Sequence, residues 1–349
     1  MHICRSSIME SYLLLFFLFV SLSISRASSD TCQELPSRLF VFGDSYLDTG
    51  NSFPPFGPWQ PPLGITIGKP TGRFSDGLVW TDYLASFMGL DTPTPYIRIN
   101  VSDPATTRSG VNFAIGGAGL FPTLFMNVSM AVQMNQLREL INAGLFNQHD
   151  LQNSAVFISI SGNDYVTYTN STFPLEKDVH AYSIAIVAQL AANLQTLYTM
   201  GIGKIAVASL PPLGCLSENV RGSEFPGNCN ETINENSRRH NDALKVAVDF
   251  LNLANQDKKI EYVDFYGGFL AAMDQHTKTA NKEYSNPTQR CCVGNGPLGC
   301  GQVDEEGKPM YTLCDRPLQS FFWDGAHPAQ HGWQLVFDAL REDIRKWLS

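Results

Sequence analysis

Residues 40–51 read FVFGDSYLDTGN, an apolar run that ends in a glycine and passes at once into polar residues. The run has the length of a buried strand, and Gly43 permits a sharp exit from it. Ser45 would then stand exposed at the carboxyl edge of a sheet, near a helix start whose free amides favour an anion. The neighbouring aspartates and Asn51 would fix the turn by local hydrogen bonds. The stretch therefore predicts a strand, a tight turn and a presented serine hydroxyl.

Apolar runs of similar length recur along the chain, with helical patterns between them. Such runs predict strands near 39–42, 155–160, 205–208 and 260–263, and helical spacing predicts helices near 77–88, 130–143, 175–200, 234–255 and 332–348. This alternation is typical of a parallel sheet covered by helices, and near-continuous apolar strands fit burial on both faces. The predicted fold class is therefore α/β. Because no linker rich in proline, serine or charge divides the chain, we expect a single domain over residues 30–349.

The first 29 residues differ in character from the rest. Arg5 precedes an apolar run at 12–20 that is short for a membrane span, and small residues follow at 25–29. This pattern predicts a secretory signal peptide over residues 1–29, with an uncleaved anchor as the alternative. No later apolar run reaches membrane-spanning length, so we expect no stable membrane anchor in the mature chain.

The charge balance is acidic, with 33 Asp and Glu against 24 Lys and Arg, and a formal net charge of −9. Phosphate backbones are bound by clustered positive charge, so we expect no nucleic-acid partner. The sequence does not indicate an oligomeric state.

Seven cysteines follow the predicted signal peptide: Cys32, Cys215, Cys229, Cys291, Cys292, Cys300 and Cys314. The last four resemble a zinc cluster only superficially, because they lack spaced C-x-x-C pairs and because an exported chain is oxidised. Disulfides are therefore predicted, with one cysteine left over and Cys215 to Cys229 as the most local pairing. Sequons predict N-glycosylation at Asn100, Asn127, Asn170 and Asn230.

A serine hydroxyl attacks a carbonyl well only when a base removes its proton and a carboxylate orients that base. Residues 322–328, FWDGAHP, place Asp324 three positions before His327. In a turn these two residues can share a face, so that Asp324 reaches Nδ1 of His327 and leaves Nε2 for Ser45. The alternative is that Asp324 merely caps the last helix. His331 adds an H-x-x-x-H pair, but without a third ligand or an internal Glu it predicts no metal site.

Acyl transfer also needs hydrogen-bond donors for the oxyanion. Residues 110–119, GVNFAIGGAG, offer glycine amides, and Asn163 in SGNDY offers a side-chain amide after a predicted strand. Each segment alone is equally typical of a turn. The G-x-G-x-x-G match at 294–299 lies between two cysteines and contains a proline, so it predicts a disulfide-bounded loop and no cofactor. Leu47 rules out the G-x-S-x-G elbow around Ser45.

FVFGDSYLDTGN, GVNFAIGGAG, SGNDY and FWDGAHP, in this order, resemble the four blocks of the plant GDSL esterase/lipases within the SGNH hydrolase superfamily. The resemblance spans nearly the whole mature chain. It implies a flavodoxin-like, three-layer α/β/α sandwich in which Ser45 is the nucleophile, His327 the general base and Asp324 the residue that orients the base.

The resemblance also implies an oxyanion hole formed by the Ser45 amide, a glycine amide and the Asn163 side chain. Gly117 is our choice for that glycine because of its position, and Gly116 and Gly119 are alternatives.

Three positions depart from the family pattern. Tyr46 stands where the eponymous motif has leucine, a change expected to alter packing beside the nucleophile. Ser161 holds the first position of a block that usually reads G-x-N-D. Ile115 replaces a commonly small residue and is expected to reshape the acyl side of the pocket.

The sequence thus predicts a secreted serine esterase or lipase that hydrolyses carboxylic esters, with a small-molecule ester or a lipid as substrate. An acyltransferase that uses the same acyl-enzyme with an alcohol acceptor is the alternative. A binding protein without catalysis is a second alternative, against which the intact set of polar residues argues. The sequence leaves the natural ester and its acyl chain length open.

Overall fold

The structure is a computed structural model, and it describes residues 2–3, 33–53, 57–170, 179–220, 229–294 and 299–349. Most of the predicted signal peptide, and Cys32, therefore lie outside the described residues. The strands are β1 (His2–Ile3), β2 (Gln33–Glu34), β3 (Arg38–Gly43), β4 (Thr94–Pro95), β5 (Gly110–Asn112), β6 (Ser154–Ser159), β7 (Lys204–Ala208), β8 (Ile260–Val263), β9 (Cys292–Gly294) and β10 (Tyr311–Leu313). The α-helices are α1 (Trp80–Met88), α2 (Met130–Asn142), α3 (Gln148–Gln152), α4 (Gly162–Asn170), α5 (Val179–Thr199), α6 (Glu231–Ala254), α7 (Phe265–Thr279) and α8 (Gln330–Leu348).

Six strands form one sheet in the order β4-β5-β3-β6-β7-β8, and every neighbouring pair is parallel. Without the two-residue edge strand β4, this is the 2-1-3-4-5 order of flavodoxin-like folds. The predicted fold class is confirmed. All four predicted strands lie within one residue of the observed bounds. The short strands β4 and β5 were not predicted, because two or three residues give no recognisable apolar run.

The central strand β3 shows why the molecule has three layers. Its side chains alternate between the two faces of the sheet, as a strand requires. Leu39 and Val41 join a core formed with α1, α7 and α8, whereas Phe40 and Phe42 join a second core formed with α2, α5 and α6. All four side chains are at most 1% exposed. Helices therefore cover both faces, and the predicted burial on both sides is confirmed for β3, β6 and β7 but not for the edge strand β8, where Glu261 is exposed.

The polar segments identified in the sequence follow three adjacent strands. Ser45 follows β3, the glycines at 116–117 follow β5, and Asn163 follows β6. Parallel strands end at the same edge, and the connections that follow the neighbouring strands β3 and β6 run in opposite directions. Open α/β sheets bind ligands at such a point. The topology thus gathers these segments at one crevice.

Three disulfides link the six cysteines that the structure describes: Cys215–Cys229, Cys291–Cys314 and Cys292–Cys300. The predicted pairing of Cys215 with Cys229 is confirmed. Cys291 and Cys292 each hold a separate bridge, and the Cys292–Cys300 bridge encloses the glycine-rich segment at 294–299, of which 295–298 lie outside the described residues. The backbone amides of Cys291 and Cys292 donate to the carbonyls of residues 322 and 323. The disulfide-bonded hairpin of β9 and β10 therefore supports the segment that leads to Asp324.

The predicted glycosylation sites differ in their surroundings. Asn100, Asn127 and Asn170 are exposed. Asn230 is half-buried, and its side chain caps α6 by accepting a hydrogen bond from the amide of Ile233. Within the described ranges, none of the helices has both the length and the apolar composition that crossing a membrane requires.

Candidate active site

The structure brings Ser45, His327 and Asp324 into one hydrogen-bonded chain. Oγ of Ser45 lies 2.8 Å from Nε2 of His327, although the two residues are 282 positions apart. Nδ1 of His327 lies 2.9 Å from both carboxylate oxygens of Asp324. Ser45 is only 9% exposed, so the prediction of an exposed serine was wrong. The hydroxyl is at the sheet edge, but the loop that carries His327 covers it.

One short loop carries both the imidazole and its carboxylate. Oδ1 of Asp324 accepts hydrogen bonds from the amides of Ala326 at 2.9 Å and His327 at 2.8 Å. The amide of Trp323 donates to the carbonyl of His327 at 2.8 Å and closes the loop. Helix α8 begins later, with Ala329 as its N-cap. Asp324 therefore does not cap this helix, and its carboxylate is committed to the His327 loop.

His327 and Asp324 shift each other's pKa: the pKa of His327 is raised and that of Asp324 is lowered. Burial alone would lower the pKa of His327, but the charge and hydrogen bond of Asp324 outweigh it, helped by the charges of Asp44 and Glu218, and the pKa is raised. Burial alone would raise the pKa of Asp324, but His327 and the two loop amides hold it below its ordinary value. The arrangement therefore favours an ionised Asp324 and makes His327 a stronger base.

Asp44, next to Ser45, is a third carboxyl group near the imidazole. Burial raises the pKa of Asp44 to about 7, although the amide of Tyr46 donates to its carboxylate. Phe74 covers another side of the imidazole, with its ring stacked on His327 at 5.2 Å between centroids. The imidazole is thus enclosed by the rings of Phe74 and Tyr46, the latter at 6.1 Å between centroids, and by carboxyl groups.

The turn that carries Ser45 is organised by the buried carboxylate of Asp48. Oδ1 accepts hydrogen bonds from the amides of Gly50 and Asn51, both at 2.7 Å. Oδ2 accepts from the hydroxyl of Ser52 at 2.7 Å and from the amide of Gly116 at 3.0 Å. The local hydrogen bonds predicted for Asp48 are therefore present, whereas the side chain of Asn51 bonds only to residues far along the chain, so the local role predicted for it was wrong. Asp48 also ties the first sequence block to the second.

Gly43 is required for close packing between strands. A Cβ atom at this position would lie 2.3 Å from the carbonyl oxygen of Ser159 on the neighbouring strand. The side chain of Gln133, from α2, also clamps Gly43 by accepting from its amide at 2.9 Å and donating to its carbonyl at 2.8 Å. Sequence reasoning missed Gln133. The only sequence feature that could have identified Gln133 is a polar residue on the apolar face of a predicted helix. In the structure its side chain is 0% exposed.

The three candidate glycines for the oxyanion hole differ in what their amides already bind. The amide of Gly116 donates to Asp48 and Ser52, whereas the backbone hydrogen bond at Gly119 is made by its carbonyl, which accepts from the amide of Met130 at 3.0 Å. Among the described residues, the amide of Gly117 has no hydrogen-bond partner, and neither has that of Ser45. Gly117 adopts a φ of +81°, a conformation that glycine accepts readily. Gly116 is therefore not an available donor, whereas the amides of Gly117 and Gly119 are both unoccupied among the described residues.

Asn163 lies in the first turn of α4, a helix that was not predicted. Its Nδ2 donates to the carbonyl of Ala118 at 2.9 Å, which leaves the second hydrogen of that amide for another acceptor. The neighbouring Asp164 accepts hydrogen bonds from the amides of Leu120 and Phe121, both at 3.0 Å. Burial raises the pKa of Asp164 to about 6, although these amides donate to it. Helix α4 and the glycine segment are thus fastened together.

The three residues that depart from the family pattern differ in their conformation and surroundings. Ser161, where a glycine is usual, has a φ of +107°, which favours glycine, and its buried Oγ has no hydrogen-bond partner among the described residues. Ile115 is only 6% exposed, so its side chain lies largely beneath the surface. Tyr46 packs its ring against Phe269 and Trp333.

The histidine pair of the sequence does not converge on a metal site. His331 lies beside His276, with ring centroids 5.5 Å apart, whereas His327 faces Ser45. Within the described part of the chain, no group of three or more His, Cys, Asp or Glu side chains is arranged to hold a metal ion.

The sequence of this chain is similar to a family model and to several known proteins. The family model described as GDSL-like lipase/acylhydrolase matches residues 39–340. The GDSL esterase/lipase At5g03610 of Arabidopsis thaliana is 38% identical over 314 residues, 88% of this chain and 87% of that protein. The GDSL esterase/lipase At3g09930 of the same plant is 36% identical over 316 residues, 89% of each.

Among solved structures, an acetylxylan esterase from Geobacillus stearothermophilus is 14% identical, with a TM-score of 0.42, and the alignment covers 89% of this chain and 96% of that one. The family assignment rests on the sequence matches, which span almost all of the region that holds the four blocks. The predicted family is confirmed: the chain belongs to the GDSL-like lipase/acylhydrolase family.

Proposed function

We propose that this protein is a serine hydrolase that cleaves carboxylic esters through an acyl-enzyme on Ser45. The observation that carries the proposal is the 2.8 Å contact between Oγ of Ser45 and Nε2 of His327. A family of lipases and acylhydrolases, and relatives named esterase/lipase, support ester hydrolysis as the reaction class.

In the first half-reaction, Oγ of Ser45 attacks the ester carbonyl carbon while Nε2 of His327 takes the hydroxyl proton. The imidazolium that forms is stabilised by the ionised carboxylate of Asp324, which contacts Nδ1 at 2.9 Å. The tetrahedral intermediate then collapses, the carbon–oxygen bond to the alcohol breaks, and His327 returns its proton to the departing oxygen. The acyl group remains bound to Ser45.

In the second half-reaction, a water molecule takes the place of the alcohol. His327 removes a proton from the water as its oxygen attacks the acyl carbon. Collapse of the second intermediate releases the carboxylic acid and returns the proton to Ser45. These steps use only groups of the protein and water, so the proposed reaction needs no cofactor.

The negative charge of each intermediate requires preorganised donors. We assign this role to the amides of Ser45 and Gly117 and to the side chain of Asn163. The free amide of Gly117 and the remaining hydrogen on Nδ2 of Asn163 support the assignment. Donors held in place before the reaction stabilise the developing charge without reorganisation.

The proposed substrate is a small-molecule ester or a lipid, and the proposed location is outside the cell after cleavage of residues 1–29. Three disulfides support an oxidising environment. The exposed side chains of Asn100, Asn127 and Asn170 are accessible for the proposed N-glycans. The net charge of −9 speaks against a nucleic-acid partner.

The direct kinetic test replaces the nucleophile. Ser45→Ala is expected to lower kcat with p-nitrophenyl butyrate by about 10⁴-fold or more, because the two-step route disappears with the hydroxyl. Ser285→Ala is the matched control, since this serine lies in the loop after α7 and its hydroxyl only donates to the carbonyl of Lys282. The control should keep parental activity. Parental activity in Ser45→Ala would overturn the proposal.

A further inference from the structure

The residue that follows the nucleophile contacts the loop of the base. The hydroxyl of Tyr46 donates a hydrogen bond to the carbonyl oxygen of Ala326 at 2.8 Å. Its ring is half-buried and is held by Phe269, stacked at 6.2 Å between centroids, and by the edge of Trp333 at 5.0 Å. This rigid side chain therefore joins the nucleophile turn directly to the Asp324–His327 loop.

The accepting carbonyl belongs to the peptide group that links Ala326 to His327. The N–H of the same peptide group donates to Oδ1 of Asp324 at 2.8 Å. A peptide group is planar and rigid, so a hydrogen bond at each end fixes the orientation of the whole plane. Tyr46 holds one end and Asp324 the other. The backbone from which the imidazole of His327 projects is thereby fixed relative to Ser45.

The donor keeps its proton under the conditions in which the base works. Burial, reinforced by the charges of Asp44, Glu218 and Asp324, holds the pKa of the Tyr46 phenol well above its ordinary value. The hydroxyl therefore remains a donor from acid to moderately alkaline pH, the range that includes the acid limb set by His327. A leucine at this position, as in the motif that gives the family its name, would fill similar space but donate nothing.

We infer that Tyr46 is a positioning residue for the general base: its hydroxyl locks the Ala326–His327 peptide group and so keeps Nε2 of His327 aligned with the nucleophile. The inference rests on the proposed function, because alignment matters only if His327 accepts the proton of Ser45. On this inference, the tyrosine that replaces the motif's leucine contributes to the reaction as well as to packing.

The test is Tyr46→Phe, which removes the hydroxyl and keeps the packed ring. Tyr83→Phe is the matched control, because the hydroxyl of Tyr83 also donates to a backbone carbonyl of the same C-terminal segment, that of Gln330, at 3.0 Å. Both variants lose one tyrosine hydroxyl and one hydrogen bond over a long sequence separation. Only the first loses a bond to the peptide group of His327.

We expect Tyr46→Phe to lower kcat with p-nitrophenyl butyrate about tenfold, the effect of one hydrogen bond, with KM within about twofold of the parent. Its acid limb in kcat should move to lower pH, because His327 loses part of its contact with Asp324 and its pKa falls. Tyr83→Phe should leave kcat and the pH profile unchanged. The melting temperatures of both variants should fall by similar small amounts.

One outcome would overturn the inference about Tyr46, and a different outcome would reject the proposed function. If the parent hydrolyses the ester and Tyr46→Phe matches Tyr83→Phe in kcat and in pH profile, Tyr46 only packs and the inference is overturned. A folded parent protein with no hydrolytic activity would instead reject the proposed function itself.

Discussion

At the scale of single residues, the imidazole of His327 is the centre of the site, and three carboxyl groups act on it. Asp324 makes the direct hydrogen bonds, whereas Asp44 and Glu218 act through their charges. All three raise the pKa of His327, against the effect of burial. Asp324 and His327 were predictable from their spacing in one short peptide. The influence of Asp44 and Glu218 was not predictable, because it arises from tertiary proximity.

The charge of Glu218 gives a prediction for the pH dependence. His327 must be neutral to take a proton, so kcat/KM is expected to rise as pH passes the raised pKa of His327 from below. Glu218→Gln removes a negative charge that favours the imidazolium, so the pKa of His327 should fall and the acid limb should move to lower pH. A pH profile of kcat/KM with an aryl ester measures this shift.

Glu261→Gln is the control for that shift, since Glu261 lies on β8 and interacts with Asp343 and lysines at the other side of the molecule. Its profile should coincide with that of the parent. An acid limb that stays in place, or moves to higher pH, in Glu218→Gln would show that this charge does not act on the base.

At the scale of elements, the site depends on how the glycine segment at 116–119 is held between the Ser45 turn and α4. Asp48 holds one end by the amide of Gly116, and Asp164 holds the amides just beyond the other end. Gly117 lies between these attachments in a conformation that suits glycine. The segment is therefore a preorganised loop in which the amide of Gly117 is free.

Gly117→Ala tests this arrangement. A Cβ atom at this position would lie 2.7 Å from Cβ of Phe125, and an alanine at a φ of +81° is strained in any case. The loop must shift, and the loss of one oxyanion donor is expected to lower kcat about 100-fold. Steady-state kinetics with p-nitrophenyl butyrate measure the effect.

Gly144→Ala separates strain from catalysis. Gly144 follows α2 with the same φ of +81°, and a Cβ atom there would meet nothing within 4 Å. It should lose about 1 kcal/mol of unfolding free energy and keep its kcat. Equal kcat values for the two variants would exclude Gly117 from the oxyanion hole.

The sequence predicted the elements unevenly, for physical reasons. Strands β3, β6 and β7 were predicted closely, because burial on both faces makes their apolar runs continuous. Helices α4 and α7 were not predicted: α4 begins among the polar residues of the third block, and α7 has two glycines in its first turn. The strained φ of Ser161 could not be predicted from the sequence either, because only the folded backbone shows that this residue adopts a conformation typical of glycine.

At the scale of the whole molecule, the fold brings together residues that lie far apart along the chain, Ser45 and His327. Ser45 follows the first strand of the sheet, and His327 precedes the last helix, α8, which packs against α1 and α7 in the core. The disulfide-bonded hairpin of β9 and β10 supports the same loop from the other side. The four sequence blocks, in their family-like order, predicted that Ser45 and His327 would come together. The supporting contacts of the hairpin required the structure.

The central claim is that this long-range contact makes Ser45 nucleophilic. The most direct measurement is intact-mass and peptide mass spectrometry after treatment with a fluorophosphonate, which reacts with activated serines. We predict one adduct per chain, located on Ser45, with no adduct in Ser45→Ala and much slower labelling in His327→Ala. A folded protein that stays unlabelled, or that carries the adduct on another residue while Ser45→Ala labels equally well, would contradict the account.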